Sequence, residues 1–300
     1  RKCFRVLDRP NRNGQRNLSS DSWGANPSCG RLNMNETRVK RLSLSSLALG
    51  TLLALGLAAP ATAQQQGSIA SYIVSIGGIN VSTIDIRLGL EGSGYQLDVV
   101  ADVTGLAQVV AQGSGAVNSG GAITATGLQS NRFFLETRTA NERFALQTTY
   151  AGGNASVGDV TPPLTENVDR VPVASSHRSG VNDPLAAFIL RGGALDGTLC
   201  NRTLRIYTGI ERFDMPLSFV ETTTATSTRT AYQGPVVLCA MRYVPISGHF
   251  ETSEITAYLR DSNRMLVWYM PLGDSGFFIP YRVLMGSSFG DISMVLVGLN

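Results

Sequence analysis

Apolar residues at every second position are the feature that most restricts the fold of this chain. Tyr95, Leu97 and Val99 alternate with polar residues, among them Asp98, and the alternation continues to Asp102. Side chains of a β-strand point alternately to its two faces, so this pattern predicts strands that each bury one face. Such half-buried strands are typical of antiparallel sheets, because parallel sheets are usually covered on both faces.

Glycine-containing turns separate the first alternating runs. Gly77-Gly78 is a two-residue hairpin signal, and Gly92-Ser93-Gly94 marks the next turn. A slip in the alternation at Ser82-Thr83 is compatible with a β-bulge. The three runs predict a meander, and another hairpin is predicted around Ala140-Asn141. Strands could also pass through the Gly- and Ser-rich run 112–121, where the pattern fades.

The last third of the chain again has the composition of strands. The predicted strands are Thr203–Ile210, Arg212–Glu221, Thr226–Tyr232, Val236–Val244, Glu254–Arg260, Arg264–Met270, Phe277–Met285 and Phe289–Val297. Turns recur every 8 to 12 residues, which is typical of sandwiches and barrels. We therefore predict a mainly β protein: a large antiparallel curved sheet, rolled or open as a barrel or spiral, with one or two short helices.

Two segments are predicted to be helical. Leu106, Val109 and Val110 have the spacing of a short amphipathic helix. Asn182–Arg191 is the clearer helix, because Asn182 can cap its first turn, Pro184 is tolerated there, and Gly192-Gly193 can end it. We expect this helix to fill the concave face of the sheet.

Residues 152–181 form a long stretch without periodicity, rich in proline, glycine and serine. Compact domains seldom contain a loop of this length unless it is mobile or functional. A lid or partner-binding segment and a plain surface excursion are both compatible with this composition.

Residues 38–63 have the three parts of a secretory signal peptide. A cluster of Arg38, Lys40 and Arg41 precedes an apolar run, and an Ala-Thr-Ala sequence ends at Ala63 before Gln64. Cleavage is predicted between these two residues, which places a single β domain, residues 64–300, in a bacterial periplasm.

The segment before the signal is polar and rich in arginine. Residues 1–33 could be a basic arm, but an upstream mis-called start or disordered segment is favoured, because a signal peptide begins close to the N-terminus. Met34 would then be the initiator, and residues 34–63 the signal peptide.

Removal of this leader reverses the sign of the net charge. Ten of the 25 basic and three of the 22 acidic residues lie before Gln64, which leaves 15 basic against 19 acidic residues and no lysine. A mildly acidic surface argues against nucleic-acid partners and against an electrostatic anchor on anionic lipid. No second apolar run of membrane-spanning length follows, so no transmembrane span is expected in the mature form.

Cys200 and Cys239 are the cysteines of the predicted mature chain. An even count in an exported protein predicts a disulfide bond, although two buried thiols are the alternative. A catalytic thiol is disfavoured, because no neighbouring residue that would stabilise a thiolate is evident.

Few residues could carry catalysis or bind a metal. Gly273-Asp274-Ser275-Gly276 spells a serine-protease turn, but the two histidines, His177 and His249, lack the expected sequence context, and a hairpin turn explains the motif. We predict no catalytic residues, no metal site and no cofactor, since zinc needs three or four N and S ligands. Carboxylates could still support a hydrolase; the candidates are Asp98, Asp102, Glu136, Glu142, Glu211, Asp214, Glu251 and Glu254.

Aromatic and apolar side chains could line a ligand pocket. The residues proposed for it are Leu185 and Phe188 on the predicted helix, together with Tyr258 and Trp268 on predicted strands. Core packing is the alternative role for all four side chains.

The sequence from Asp183 to Arg191, Asp-Pro-Leu-Ala-Ala-Phe-Ile-Leu-Arg, resembles the short helical motif of the domain of unknown function 3108 family. Further likeness lies in Ile206-Tyr207-Thr208-Gly209, in the placement of the two cysteines and in the closing strands, over about residues 68–299. The resemblance implies an exported proteobacterial, β-rich periplasmic protein and transfers no catalytic residue. Thr208 stands where the family usually has an aspartate, so no role is carried over for that acid.

These observations favour a non-enzymatic protein that supports the cell envelope. The expected partner is a lipid or glycan ligand or an envelope protein. The alternative is an envelope hydrolase that uses acidic residues on the concave face of the sheet.

Overall fold

The computed structural model describes residues 66–104, 108, 113–165, 168–287 and 290–300. The predicted signal peptide with its cleavage site, the segment before it and the helix predicted at Leu106–Val110 lie outside these residues, apart from Gln108. They remain predictions.

The described chain is dominated by antiparallel strands, as predicted. The first eight are β1 (Gln66–Ile76), β2 (Ile79–Glu91), β3 (Gly94–Val103), β4 (Gly113–Ile123), β5 (Leu128–Thr139), β6 (Arg143–Ala151), β7 (Asn154–Ala155) and β8 (Asp159–Thr161). The second eight are β9 (Leu190–Arg191), β10 (Thr203–Tyr207), β11 (Arg212–Ala225), β12 (Gly234–Met241), β13 (Val244–Ser247), β14 (Met265–Pro271), β15 (Phe277–Met285) and β16 (Ile292–Leu299). Two α-helices accompany them, α1 (Pro184–Ala187) and α2 (Glu254–Asp261).

All strands belong to one curved sheet. The path runs β10-β11-β12-β14-β15-β16-β1-β2-β3-β4-β5-β6-β7, with β8, β9 and β13 attached beside it. The N-terminal strand β1 therefore lies between β2 and the C-terminal strand β16, and the sheet continues in both directions from this pair. Sheets of this many twisted strands curl, because the twist of neighbouring strands accumulates.

A short segment bridges the two ends of this sheet. Asn182 N donates to Arg205 O at 2.9 Å, and Tyr207 N donates to Asn182 O at 3.0 Å, which attaches the segment to β10. Val181 N donates to Gly153 O at 2.9 Å, beside the hairpin of β6 and β7. The backbone groups of both edges are thereby partly satisfied, and the sheet is nearly closed into a barrel.

The early hairpins follow the sequence pattern. Ile76 pairs with Ile79 across Gly77-Gly78, whose φ angles are 57° and 85°. Positive φ is costly for residues with a β-carbon, so glycine suits both central positions of this turn. The register of β1 and β2 shifts opposite Val81, one residue before the predicted slip.

Glycine also explains why strand β4 is hard to recognise. The run that gave a fading pattern is the 11-residue strand Gly113–Ile123. A β-carbon on Gly121 would lie 2.0 Å from Gln129 O, at a register shift between β4 and β5. Close approach of the backbones therefore requires glycine here, at the expense of apolar alternation.

Three predicted elements differ in the structure. The segment Glu254–Arg260 is helix α2 rather than a strand, because Ser253 caps it by accepting from Thr256 N at 3.2 Å. Thr226–Tyr232 is not a strand: the chain turns at Ser227, whose carbonyl accepts from Thr230 Oγ1 at 2.8 Å. The predicted loop 152–181 contains β7, β8 and a 3-10 turn, Ser175–Arg178.

The helix predicted at Asn182–Arg191 is shorter than expected. Only Pro184–Ala187 is helical, and Arg191 belongs to strand β9, where it pairs with Phe277 of β15. The cap is Asp183 rather than Asn182, because the Asp183 carboxylate accepts from two amides of the first turn. Pairing with β15 ends the helix at Ala187, although the apolar periodicity of the sequence continues beyond that residue.

Candidate functional site

The inward face of the sheet encloses an apolar cavity of about 400 Å³. Cross-strand pairing aligns its walls: Ala70 lies opposite Ile86, and Ile86 lies opposite Val99. The opposite wall is aligned in the same way, for example by Met294 opposite Val283. Paired residues share a face of a sheet, so the lining follows from the strand register.

The lining is almost wholly hydrocarbon and thioether. It consists of Ser68, Ala70, Tyr72, Ile84, Ile86, Leu88, Leu97, Val99, Pro184, Leu185, Phe188, Ile189, Met215, Met241, Met265, Leu272, Ile279, Pro280, Val283, Met285, Ile292, Met294 and Leu299. The Tyr72 hydroxyl is already engaged, donating to Pro280 O at 2.8 Å. Burial raises the pKa of Tyr72, so this hydroxyl is neutral at physiological pH.

Helix α1 forms one wall of the cavity. Leu185 and Phe188 line it, and the chain continues through Ile189 into strand β9. One helical turn is too short to be stable by itself, so its position depends on tertiary contacts.

A buried polar cluster holds the N-terminus of α1, and we call it the Asp183 cluster: Tyr95, Ser119, Ser130, Asn182 and Asp183. The Asp183 Oδ1 atom accepts from Leu185 N at 2.8 Å and from Ala186 N at 3.0 Å. Its Oδ2 atom accepts from Ser119 Oγ at 2.6 Å and also contacts the Ser130 hydroxyl. Tyr95 and Ser119 hydroxyls lie 2.9 Å apart, which extends the cluster to strand β3.

The same cluster attaches the N-terminus of α1 to strand β5. Asn182 Oδ1 accepts from Ser130 N at 2.9 Å, and Asn182 Nδ2 donates to Leu128 O at 2.7 Å. The serines come from β4 and β5, where small side chains leave room for the carboxylate. Two distant parts of the sequence therefore meet at one carboxyl group.

Asp183 is fully buried, and burial raises the pKa of its carboxyl above the ordinary value. The hydrogen bonds from Ser119, Ser130 and the two α1 amides oppose this shift, because they stabilise the charged form. Burial and the negative charge of Asp183 also raise the pKa of Tyr95. The cluster is a structural anchor with well-satisfied hydrogen bonds.

Cys200 and Cys239 form a disulfide bond, as predicted. Their Cα atoms are 5.5 Å apart, and both residues are fully buried. The bond joins a 3-10 turn, Gly197–Cys200, to strand β12. Both cysteines pack with Met215, Met241 and other residues on the methionine-lined side of the interior.

The four residues suggested for a pocket do not come together. Leu185 and Phe188 line the cavity, whereas Tyr258 and Trp268 do not. Trp268 pairs with Arg282, on the face opposite Val283, and the Arg282 Cζ atom lies 5.2 Å from the Trp268 ring centroid. Tyr258 lies on α2 and is 41% exposed.

The candidate carboxylates of a hydrolase do not line the cavity either. Asp98 accepts from Gln96 Nε2 at 3.1 Å, and Glu136 is paired with Arg138 and Arg143 at the surface. Ser275, in the protease-like motif, donates to Leu272 O at 2.6 Å within a turn. Within the described ranges, no group of three His, Cys, Asp or Glu side chains could hold a metal ion.

The cavity contains a set of residues that the sequence interpretation missed. Five of the seven methionines, Met215, Met241, Met265, Met285 and Met294, line it. Each lies on a predicted strand, and all follow Arg191 in the sequence. The clustering of these methionines in the C-terminal strands could have indicated a binding surface, because methionine is common on adaptable binding surfaces.

In the part of the chain that the structure describes, no α-helix has the length and apolar character needed to cross a lipid bilayer.

The fold and the cavity together define a β-barrel-like protein with an apolar interior site. Residues 71–297 match the family model described as "Protein of unknown function (DUF3108)". The chain belongs to this family, as its sequence motifs had suggested.

Comparison with solved structures gives a match to a crystal structure from Brucella abortus. It is described as a beta-barrel-like protein of domain of unknown function DUF1849, with 12% sequence identity and a TM-score of 0.44. The match covers 78% of this chain and 97% of the Brucella chain. No curated protein matches the sequence.

Proposed function

We propose that this protein is exported and binds an apolar chain, such as the acyl chain of a lipid, in its interior cavity. The observation that carries the proposal is a cavity of about 400 Å³ with an almost entirely apolar lining. Sites for small molecules typically occupy roughly 300–1,000 Å³ and are mainly hydrophobic.

The lining distinguishes between the ligand classes considered from the sequence. A glycan would bring many hydroxyl groups, and each buried hydroxyl without a hydrogen bond is costly. Ser68 and Tyr72 provide the side-chain hydroxyls of this wall, and Tyr72 is already bonded to Pro280. An acyl chain requires no such partners, so lipid is favoured over glycan.

The methionines support binding of flexible or variable chains. Methionine is unbranched and has a polarisable thioether, so it adapts to irregular shapes. Five of these side chains in one cavity wall allow the surface to adjust to ligands of different length. In the cell, we propose that the protein acts in the bacterial envelope. This part of the proposal rests on the predicted signal peptide.

Chain length provides the direct test. Saturated fatty alcohols of increasing length are titrated into the purified protein by calorimetry or by displacement of a fluorescent probe. Each buried methylene contributes about 0.8 kcal/mol, so affinity should rise roughly fourfold per carbon until the cavity is full. Absence of binding at every length, or affinity that does not depend on length, would contradict the proposal.

A pair of variants locates the ligand. Met294→Trp places a larger side chain in the cavity and should shift the affinity maximum to shorter chains, with a loss of about tenfold for the best ligand. Met294→Leu keeps nearly the same volume and is the matched control. Val100→Ala, at an exposed position outside the cavity lining, should leave the length profile unchanged. Equal responses of the three variants would place the ligand elsewhere.

Gentle purification from the native compartment adds an independent test. Mass spectrometry should find a co-purified lipid in the wild type and less of it in Met294→Trp. Repeated absence of any lipid from the wild-type protein would count against a resident ligand.

A further inference from the structure

A second concave site lies on the other side of α1, and we call it the arginine cleft. It has a volume of about 320 Å³ and is lined by Thr126, Gly127, Leu128, Gly180, Asn182, Ala186, Ala187, Ile189, Leu190, Arg202, Thr203, Leu204 and Arg205. Ala186 and Ala187 face this cleft, whereas Leu185 and Phe188 face the apolar cavity. Ile189 lines both sites, so the two are neighbours separated by one helical turn.

Arg202 enters this cleft with spare hydrogen-bonding capacity. Its Nη1 and Nη2 atoms donate to Arg191 O at 3.3 and 3.2 Å. Its Nε atom is buried and has no hydrogen-bond partner among the described residues. A buried N–H group without a partner is costly, so an acceptor at this position would be stabilising. Partial burial also lowers the pKa of Arg202, because the guanidinium loses part of its hydration.

Arg205 supplies a second unpaired guanidinium. It lies opposite Asp214 in the sheet, but Asp214 is bound by Arg212 at 2.7 Å. Within the described ranges, the side chain of Arg205 makes no ion pair or hydrogen bond. The guanidinium lies close to Gly180: a β-carbon there would lie 3.0 Å from Nη1 of Arg205. The absent side chain leaves space in which the guanidinium rests.

The cleft therefore combines two arginines with no acidic residue in its wall. The hydroxyls of Thr126 and Thr203 are further potential donors. Guanidinium groups present several N–H donors in a planar fork that matches the oxygens of phosphate and carboxylate. We propose that the arginine cleft binds an oxyanion of this kind, a phosphate or carboxylate group. The proposal does not depend on an acyl chain in the apolar cavity.

The oxyanion has two sources, which one experiment separates. Inorganic phosphate, dodecyl phosphate and dodecanol are each titrated into the full-length protein at low salt. Binding of inorganic phosphate supports a site for free anions. Tighter binding of dodecyl phosphate than of dodecanol supports a site for the headgroup of a lipid whose chain enters the cavity. The proposal would be overturned if inorganic phosphate did not bind and dodecyl phosphate bound no more tightly than dodecanol.

Substitutions assign the effect to the cleft. Arg202→Gln and Arg205→Gln should each weaken phosphate binding, or reduce the preference for dodecyl phosphate over dodecanol, by about tenfold or more. Arg229→Gln removes the same charge from an exposed position outside the cleft and should have little effect. Because Arg205 is exposed, Arg205→Gln tests the site even if Arg202→Gln fails to fold. An equal loss in Arg229→Gln would indicate a general effect of charge and contradict the site.

Dodecanol distinguishes this proposal from the preceding one. Loss of dodecanol binding alone would remove the apolar-chain function and leave the oxyanion site standing. If dodecanol binds, but inorganic phosphate does not bind and dodecyl phosphate binds no more tightly than dodecanol, the oxyanion site is removed and the apolar-chain function stands.

Discussion

Two neighbouring parts of the barrel interior are held in different ways. Around Asp183, side chains from β3, β4 and β5 form a compact network of hydrogen bonds, and both carboxylate oxygens are used. Around Met294, apolar side chains that include residues of β1, β2, β3, β15 and β16 leave a cavity of about 400 Å³. The disulfide bond of Cys200 and Cys239 packs in a buried cluster with Met215 and Met241, which also line the cavity.

This difference indicates that one part of the interior fixes α1 and another part leaves space for a ligand. Directional hydrogen bonds fix the position of α1, because an unsatisfied donor in the interior is costly. Dispersion contacts of the methionine side chains that line the cavity are weaker and less directional, so this part of the interior can accommodate a ligand. A covalent crosslink there can stabilise the fold without filling the space. The following predictions test this comparison, starting with the largest effect.

Replacement of the central carboxylate should destabilise the protein most. Asp183→Ala leaves two backbone amides and two serine hydroxyls without their acceptor, at about 1–3 kcal/mol for each buried group, so a loss of roughly 5 kcal/mol is expected. Urea unfolding followed by circular dichroism measures it. Asp196→Ala is a control, because Asp196 also caps a short turn but is exposed. Similar losses of unfolding free energy in the two variants would show that burial of the network adds nothing to stability.

Loss of the disulfide should have the next largest effect. The bond closes a loop with a sequence separation of 39 residues, which corresponds to about 4 kcal/mol on the chain-entropy model. The Cys200→Ala and Cys239→Ala double variant should therefore unfold at lower urea concentration. The folded variant should still bind fatty alcohols, since neither cysteine lines the cavity. A stable variant with a lost binding site would contradict the separation of stabilising and binding roles on the apolar side.

The smallest predicted effect is a pH dependence of stability. The pKa of the Asp183 carboxyl is raised in the folded protein, so the folded state retains this proton to higher pH than the unfolded state. The contribution of Asp183 to stability is then largest below its unfolded pKa and decreases as pH rises through the folded pKa. The slope for one proton cannot exceed about 1.4 kcal/mol per pH unit.

Asp183→Asn removes this titration with little change in shape. The stability of the wild type relative to this variant should fall as pH rises through that window. A relative gain by the wild type over the same window would mean that hydrogen bonds outweigh burial and depress the carboxyl pKa.

Much of the fold could be predicted, because it depends on local patterns. Alternation at Tyr95, Leu97 and Val99 correctly indicated half-buried strands, and Gly77-Gly78 correctly marked a hairpin. Two cysteines in a chain predicted to be exported correctly indicated a disulfide. Local pattern failed where a tertiary contact dominated: pairing of Arg191 with Phe277 shortened α1. It also failed for β4, where glycine at a close backbone approach removed the alternation.

The candidate site was less accessible to sequence analysis. Leu185 and Phe188 were selected from the apolar face of a helix, and they line the cavity. Trp268 was selected as an aromatic residue on a predicted strand, but strand register places it on the face opposite Val283. A residue one position along a strand changes face, so an aromatic side chain cannot be assigned to a pocket before the register is known.

The sequence by itself predicted antiparallel strands and a crosslink between Cys200 and Cys239, because alternation, turn glycines and cysteine count are properties of neighbouring or countable residues. Only the tertiary structure decided that Asp183 meets Ser119 and Ser130, and that five methionines surround one cavity. Those groupings depend on the order of strands in the sheet, which places β1 between β2 and β16. Burial and the ligand-accessible volume follow from that order, since residues far apart in the chain share the same interior face.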